Sequence, residues 1–120
     1  MHRVSLIRVK AFYYKGKETK ALEDNRIVEL YLIRDETAIS QTAEKYGSRL
    51  RNLAYGIVED PHTAEECEND TYMEAWESIP PHEPKNYFFA FLARITRHIA
   101  LDFCKQRSRL KRRRLSREYR

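Results

Sequence analysis

The sequence predicts an all-α fold, a compact bundle of about four helices with a basic C-terminal extension. The 120 residues include only three glycines and four prolines, which suits a helical protein far better than one rich in hairpins. Apolar residues recur at spacings of three and four along much of the chain, the period of amphipathic helices. With 42% hydrophobic residues, the chain can bury one core but is too short for two separate cores.

The first two helices are predicted between residues 25 and 58. Residues 25–32 form a short helix whose buried side consists of Ile27, Leu30 and Tyr31. Asp35 is the predicted N-cap of a longer helix over residues 36–58. Its apolar positions alternate in steps of four and three, which indicates a face packed on other helices. They are Ile39, Ala43, Tyr46, Leu50, Leu53 and Ile57.

Two further helices are predicted on either side of a proline-rich loop. Asp60 caps the third helix, and Pro61 fits its first turn because a missing N–H would be unpaired there anyway. The helix ends at residue 78 or 79, where Pro80-Pro81 stops it. Asn86 is the predicted cap of a fourth helix, which runs from residue 87 to at least residue 105.

Charge divides the chain into three parts. Residues 1–20 carry a net charge of +5, residues 21–103 a net charge of −8 and residues 104–120 a net charge of +8. We therefore predict a basic N-terminal extension over 1–20, a helical domain over 21–106 and a basic tail or start of a linker over 107–120. An acidic body between basic ends favours two partners, one polyanionic and one basic.

Several function classes are not expected. No stretch approaches the roughly 20 apolar residues of a membrane helix, and the N-terminus lacks the apolar core of a signal peptide. Two single cysteines, far apart in the sequence, fit a reducing cytoplasm. Glycine-rich phosphate loops and common hydrolase motifs are lacking, so we expect neither an enzyme nor a cofactor. A metal site is not expected from His62, Glu65, Glu66 and Cys67, because they do not converge on one side of a helix.

The third helix has two contrasting sides on a helical wheel. Its core stripe consists of Ala64, Cys67, Thr71, Tyr72, Ala75 and Ile79, with Trp76 at the edge. The opposite side, which we call the acidic face, consists of Glu66, Asn69, Asp70, Met73 and Glu77, with Glu74 on its flank. Like charges four residues apart cost about a few tenths of a kcal/mol per pair, so this arrangement suggests a basic partner. The alternative is that this charged face contacts only solvent and binds no partner, and the pattern alone favours that alternative.

The fourth helix is amphipathic in a different way. Its apolar arc consists of Phe88, Leu92, Ile95, Ile99 and Phe103. The other side, which we call the basic face, consists of Arg94, Arg97, His98, Leu101 and Lys105. This face continues into the arginine cluster at 111–114, and such a continuous basic surface is typical of nucleic-acid binding.

Planar side chains lie close to the basic face in the sequence. They are His82, Tyr87, Phe88 and His98, and stacking on such groups holds single-stranded bases at ~1–3 kcal/mol per base. For Phe88, core packing is the better interpretation, and for His82 and His98 an ordinary surface histidine is an equal alternative. An anionic membrane surface or a solubilising tail are the alternatives for the arginine cluster, but the amphipathic helix before it favours nucleic acid.

Two segments resemble region 2 of bacterial RNA polymerase sigma factors of the sigma-70 family. Residues 64–76, AEECENDTYMEAW, are similar to the A-E-D-L-V-Q-E-T-F-L-x-A-W pattern of its extracytoplasmic-function group. Residues 91–102, FLARITRHIALD, are similar to the W-L-x-x-I-A-R-N-x-x-x-D pattern that follows in the same family. Tyr46-Gly47 and Leu53-Ala54-Tyr55 also fit, and the resemblance covers about residues 22–114.

The resemblance implies a non-catalytic transcription initiation module in the bacterial cytoplasm, with no membrane partner. In this family the third-helix face docks on the clamp helices of the polymerase β′ subunit, a role that falls here to the acidic face. The loop and fourth helix engage the non-template strand of the promoter −10 element as it melts. That role falls to His82, Asn86, Tyr87, Arg94, Arg97, His98, Leu101 and Lys105. An anti-sigma factor is a further partner that the resemblance allows, although the sequence does not identify one.

Three departures from the family pattern bear on this hypothesis. Asn69 replaces the usual Gln on the docking face, and His98 stands where many members have Asn. Members of the group continue into a linker and a helix-turn-helix domain for the −35 element, which does not follow before Arg120. Two alternatives therefore stay open: a sigma-like protein-interaction module that no longer initiates transcription, and a general nucleic-acid-binding helical protein.

Overall fold

The computed structural model describes residues 22–118, which form four α-helices. They are α1 (Asp24–Leu32), α2 (Thr37–Val58), α3 (Pro61–Ser78) and α4 (Phe88–Glu118). Residues 22–118 contain no strand, and the predicted all-α bundle is confirmed. The extension predicted over residues 1–20 lies outside the described residues.

Asp60 is the cap of α3, as predicted, whereas the cap of α2 is Glu36, one residue after the predicted Asp35. Asp35 still bonds to the first turn of α2. The Asp35 carboxylate accepts hydrogen bonds from the N–H and the hydroxyl of Thr37 at 2.9 and 2.8 Å. The Asp60 carboxylate accepts from the N–H and the hydroxyl of Thr63 at 2.8 and 2.6 Å, with Pro61 in the first turn. These acceptors satisfy N–H groups that have no partner within the helix.

The start of α4 differs from the prediction by one residue. α4 begins at Phe88, and the carbonyl of Tyr87 accepts a hydrogen bond from the N–H of Phe91 at 2.9 Å. The residue whose carbonyl accepts the first bond of a helix is its cap. Tyr87 therefore occupies the position that we predicted for Asn86, and Asn86 lies one residue outside the helix in the exposed loop.

α2 packs against each of the other three helices, and aromatic residues join them. The ring of Tyr31 on α1 lies 6.1 Å from Trp76 on α3 and 6.0 Å from Phe88 on α4, centroid to centroid. The Tyr31 hydroxyl lies 2.7 Å from the hydroxyl of Thr42, so the polar atom of this fully buried side chain has a partner. A smaller hydrophobic cluster lies at the C-terminal end of α2 and consists of Ala54, Val58, Ala64, Cys67 and Ala100.

The predicted core stripe of α3 is buried throughout, but other predicted apolar faces are incomplete at their ends. On α1, Val28 is buried and Leu30 is only half-buried. On α2 and α4 the half-buried positions are Leu53, Ile57, Ile99 and Phe103. The smaller cluster includes no residue of α1, so three helices rather than four cover that end of the bundle.

α4 extends well beyond the other helices. Arg107 still contacts the body, because its Nη2 atom donates to the carbonyl of Val58 at 2.9 Å. Residues 108–117 are all exposed, and the described chain measures 58 × 31 × 26 Å. The segment predicted as a basic tail or linker start is thus the continuation of α4 as far as Glu118. Among residues 22–118, no helix combines the length and the apolar composition that a membrane crossing requires.

Candidate functional site

The acidic face lies on the outer side of α3, away from the core stripe. Glu66, Asn69 and Glu77 are exposed, whereas Asp70 and Met73 are half-buried. Glu74, on the flank of this face, is exposed as well. From Glu59 to Glu83 the chain has nine acidic residues and neither lysine nor arginine, so the outer surface of α3 presents negative charge. The face offers carboxylates, an amide and a half-buried thioether to a partner.

Glu68 does not belong to this charged surface. It is 3% exposed, and its carboxylate accepts hydrogen bonds from Arg51 at 2.8 Å and from the hydroxyl of Tyr72 at 2.5 Å. Gly47 makes room for it, since a Cβ atom there would lie 2.9 Å from Glu68 Oε2. We did not predict this burial, although Glu68 lies four residues from both Ala64 and Tyr72 and so falls on the core stripe.

The basic face lies on the solvent side of α4, as predicted. Arg94, Arg97, His98 and Lys105 are exposed, and Leu101 is 39% exposed among them. Their positions follow from the apolar arc, because burial of Phe88, Leu92 and Ile95 turns the opposite side of the helix outward. Beyond this face, exposed arginines continue to Arg117.

A groove of about 430 Å³ lies between the end of α3 and the start of α4. It brings together four of the residues predicted to bind DNA, namely His82, Tyr87, Arg94 and His98. The remaining four, Asn86, Arg97, Leu101 and Lys105, are exposed but do not line the groove. The groove therefore collects planar and cationic side chains at the end of α4 that lies next to the proline-rich loop.

Several lining residues were not among the predicted DNA-binding residues. Phe91 forms part of the wall, and its ring centroid lies 5.9 Å from that of His82. Glu74 and Ser78 contribute from α3, and Ile95 contributes from α4. Phe91 could have been found from the sequence, because it lies four residues after Tyr87 and seven before His98 on one side of α4.

Burial and nearby negative charge shift the pKa of the Cys67 thiol, which lies beneath the acidic face. Burial raises the pKa of the Cys67 thiol to about 11, and the negative charges of Asp70 and Glu66 act in the same direction. Within residues 22–118, no group of three or more histidine, cysteine or acidic side chains is arranged to hold a metal ion. The interactions that the two faces and the groove offer are charge pairing, hydrogen bonding and stacking.

A family model described as sigma-70 region 2 matches residues 42–110. This match spans 69 of the 120 residues. The chain belongs to the sigma-70 region 2 family. Comparison with curated proteins gives no significant match, and neither does comparison with solved structures.

The matched segment contains both faces and the groove. It begins within α2, includes all of α3 and the proline-rich loop, and ends at residue 110 within α4. Membership makes this chain a sigma-factor-type transcription initiation domain, whose family binds RNA polymerase and recognises promoter DNA. The family is one of transcription factor domains and not one of catalytic domains.

Proposed function

We propose that this sigma-70 region 2 domain docks on core RNA polymerase through the acidic face. We further propose that it holds unpaired −10 promoter bases in the groove and along the basic face. The observation that supports this most directly is the groove, which collects His82, Tyr87, Arg94 and His98 beside a continuous basic helix. Such a function belongs in the bacterial cytoplasm, where the polymerase works.

Docking through the acidic face rests on charge complementarity. The clamp helices of the β′ subunit present basic residues in this family, and the acidic face presents Glu66, Asp70 and Glu77. Complementary charges speed encounter and fix register, and like charges brought together cost roughly several kcal/mol. Met73 is half-buried between them and adds an adaptable apolar contact.

Base capture rests on the groove. Extruding a base from a duplex costs a few kcal/mol, which stacking and pocket contacts must offset. Tyr87 is 54% exposed at the groove wall, and the His82 and Phe91 rings lie close together there, so planar surfaces are available for stacking. Arg94 supplies a positive charge for a backbone phosphate.

Glu74 gives the groove a preference among bases. Its carboxylate is the acidic group among the lining residues, and an ionised carboxylate only accepts hydrogen bonds. Cytosine, adenine and guanine carry exocyclic amino donors, whereas the donor of an unpaired thymine is its ring N3–H alone. A groove with this wall favours a base with an exocyclic amino group over thymine as the captured base.

Docking is tested with core polymerase and charge-reversed variants. Glu66→Arg, Asp70→Arg and Glu77→Arg should each weaken binding by about tenfold or more, because they place like charges against the clamp. Glu29→Arg, an exposed acid on α1, is the matched control and should bind as the parent does. Parent-like binding by all three face variants would exclude the docking surface.

Base capture is tested with short single-stranded oligonucleotides that differ at one central base, titrated over a salt series. Arg97→Ala should reduce the slope of log Kd against log salt by about 0.7, the share of one phosphate contact on a single strand. Arg26→Ala, an exposed arginine on α1, is the matched control.

Affinity for DNA without affinity for polymerase would instead favour a general nucleic-acid-binding protein. Polymerase binding with no transcription from any promoter would favour an interaction module.

A further inference from the structure

Arg34, in the turn between α1 and α2, contacts the C-terminal end of α3. Its Nη1 atom donates hydrogen bonds to the carbonyls of Trp76 at 2.9 Å and of Ile79 at 2.6 Å. Its guanidinium carbon lies 3.8 Å from the centroid of the Trp76 ring. Carbonyls in the last turn of a helix lack intrahelical partners, and positive charge is favourable there. One side chain therefore both caps α3 and stacks on its last aromatic residue.

The backbone of Arg34 adopts a conformation that arginine rarely takes. Its φ angle is 61°, in the left-handed region. The N–H of Arg34 donates to the carbonyl of Tyr31 at 3.0 Å, and the N–H of Asp35 donates to that of Leu30 at 2.9 Å, which together end α1. Glycine is the usual residue at such a position because it has no Cβ. A side chain retained there despite the strain points to a role for its contacts.

The end of α3 leads directly into the loop that builds the groove. Ile79 is fully buried, and the N–H of His82 donates to the carbonyl of Ser78 at 2.9 Å. Ser78 and His82 both line the groove, and the His82 ring lies against Phe91. The direction in which the chain leaves α3 therefore determines where the His82 ring lies.

We propose that Arg34 is a positioning residue that fixes the end of α3 and so holds His82 in the groove. Its effect on DNA binding rests on the function proposed above for the groove, whereas its effect on His82 does not. Both acceptors of Nη1 are backbone carbonyls of the segment that leads into the loop. Arg34 acts through those carbonyls and the Trp76 ring, not by touching DNA.

Two substitutions distinguish the effect of the guanidinium contacts of Arg34 from the effects of its positive charge and of its strained backbone. Arg34→Gly removes the side chain and suits the φ angle of 61°, so the helices should stay intact by far-ultraviolet circular dichroism. Arg34→Lys keeps the charge but has no planar guanidinium that can stack on Trp76 while it donates to the two carbonyls. Arg26→Ala, on the exposed side of α1, is the control for loss of one positive charge.

The first measurement uses the free protein. In both Arg34 variants the NMR signals of the His82 ring should move towards those of an unstructured histidine, because the ring leaves Phe91. Emission from Trp76, the single tryptophan, should change as its cation partner is lost. In Arg26→Ala both signals should match the parent. His82 signals that stay at their parental positions in Arg34→Gly would overturn the proposal.

The second measurement compares ligands. Both Arg34 variants should bind single-stranded oligonucleotides about tenfold more weakly, which corresponds to about 1.4 kcal/mol, while binding core polymerase as the parent does. The slope of log Kd against log salt should not change, since no phosphate contact is lost. A reduced slope in Arg34→Gly, together with parental affinity in Arg34→Lys, would make Arg34 a direct phosphate ligand and overturn the proposal. If the parent binds no oligonucleotide, the groove function fails, and the His82 signals still decide the role of Arg34.

Discussion

The hydroxyl groups of Thr71 on α3 and Thr96 on α4 lie 2.7 Å apart, and both side chains are fully buried. Thr71 also donates to the carbonyl of Cys67 at 2.7 Å, so Thr96 is the donor in the bond between the helices. Thr71 follows Asp70 of the acidic face, and Thr96 precedes Arg97 of the basic face. This buried bond thus joins α3 and α4 at positions next to the two surfaces.

Replacing either threonine should destabilise the protein. Thr71→Val keeps the shape and leaves the Thr96 hydroxyl buried without its acceptor, which costs about 1–2 kcal/mol. Thr96→Val should cost less, because the Thr71 hydroxyl keeps its bond to the Cys67 carbonyl. The double variant should lose less than the sum, since it leaves no such orphan. Urea denaturation of the four proteins gives the free energies of unfolding. Strictly additive losses would mean that the two hydroxyls do not interact.

Gly47→Ala should destabilise the protein, although alanine is the better helix former. A Cβ at residue 47 would lie 2.9 Å from Glu68 Oε2 and 3.0 Å from the Tyr72 hydroxyl, and both groups are buried and bonded to each other. We expect a net loss of roughly 1–2 kcal/mol in the free energy of unfolding. Gly56→Ala is the matched control, since nothing lies within 4 Å of its Cβ, and it should stabilise by about 0.5–1 kcal/mol. Equal effects at both glycines would contradict the close packing of α2 on α3.

The two cysteines should differ in reactivity. Cys67 is fully buried and burial raises its thiol pKa to about 11, so only about one part in a thousand is thiolate at pH 8. Cys104 is half-buried, with its Sγ 3.4 Å from the carbonyl of Ile57. Iodoacetamide should therefore modify Cys104 first in the folded protein, as measured by peptide mass spectrometry. The two rates should converge in urea, and equal rates in the folded state would contradict the burial of Cys67.

Acid should weaken the cap of α3. The hydroxyl and the N–H of Thr63 donate to the Asp60 carboxylate and lower its pKa from the ordinary value of 3.8. A carboxyl whose pKa is lower in the folded than in the unfolded protein stabilises the folded state at pH values above the unfolded pKa. This stabilisation is lost as the pH falls through the folded pKa. Asp60→Asn keeps a capping oxygen that does not titrate. In thermal melts, Tm of the parent should fall relative to that of Asp60→Asn as pH drops from 5 towards 2, an estimated range around the usual aspartate pKa. A constant difference in Tm over that range would contradict the bonded carboxylate.

Local sequence patterns predicted the helices and their outward faces. Helical spacing is set by neighbours three and four residues away, so the sides of α3 and α4 follow from the chain itself. The bonds that Asp35 and Asp60 make at the starts of α2 and α3 are equally local, because each carboxylate accepts from a residue two or three positions later. The caps of α2 and α4 lie one residue later than predicted, at Glu36 and Tyr87, because helix ends depend on weak preferences.

Features that depend on distant partners could not be predicted in this way. Arg51 and Glu68 are 17 residues apart, and their pairing depends on how α2 packs on α3. Arg34 reaches a carbonyl 45 residues away, which no local pattern indicates. The groove likewise joins Glu74 to His98 only after α3 and α4 pack together.

The part of α4 beyond Arg107 stands clear of the other helices, so its conformation depends on its own residues. Arginines four apart, such as Arg109 with Arg113 and Arg113 with Arg117, repel one another along the helix. A polyanion that neutralises these arginines removes the repulsion and increases the fraction of time that these turns are helical. Helix formation and polyanion binding are thus thermodynamically linked at this end of the molecule. Heat should unwind the distal turns and release a bound strand together, whereas added salt should release the strand and also screen the repulsion between the arginines.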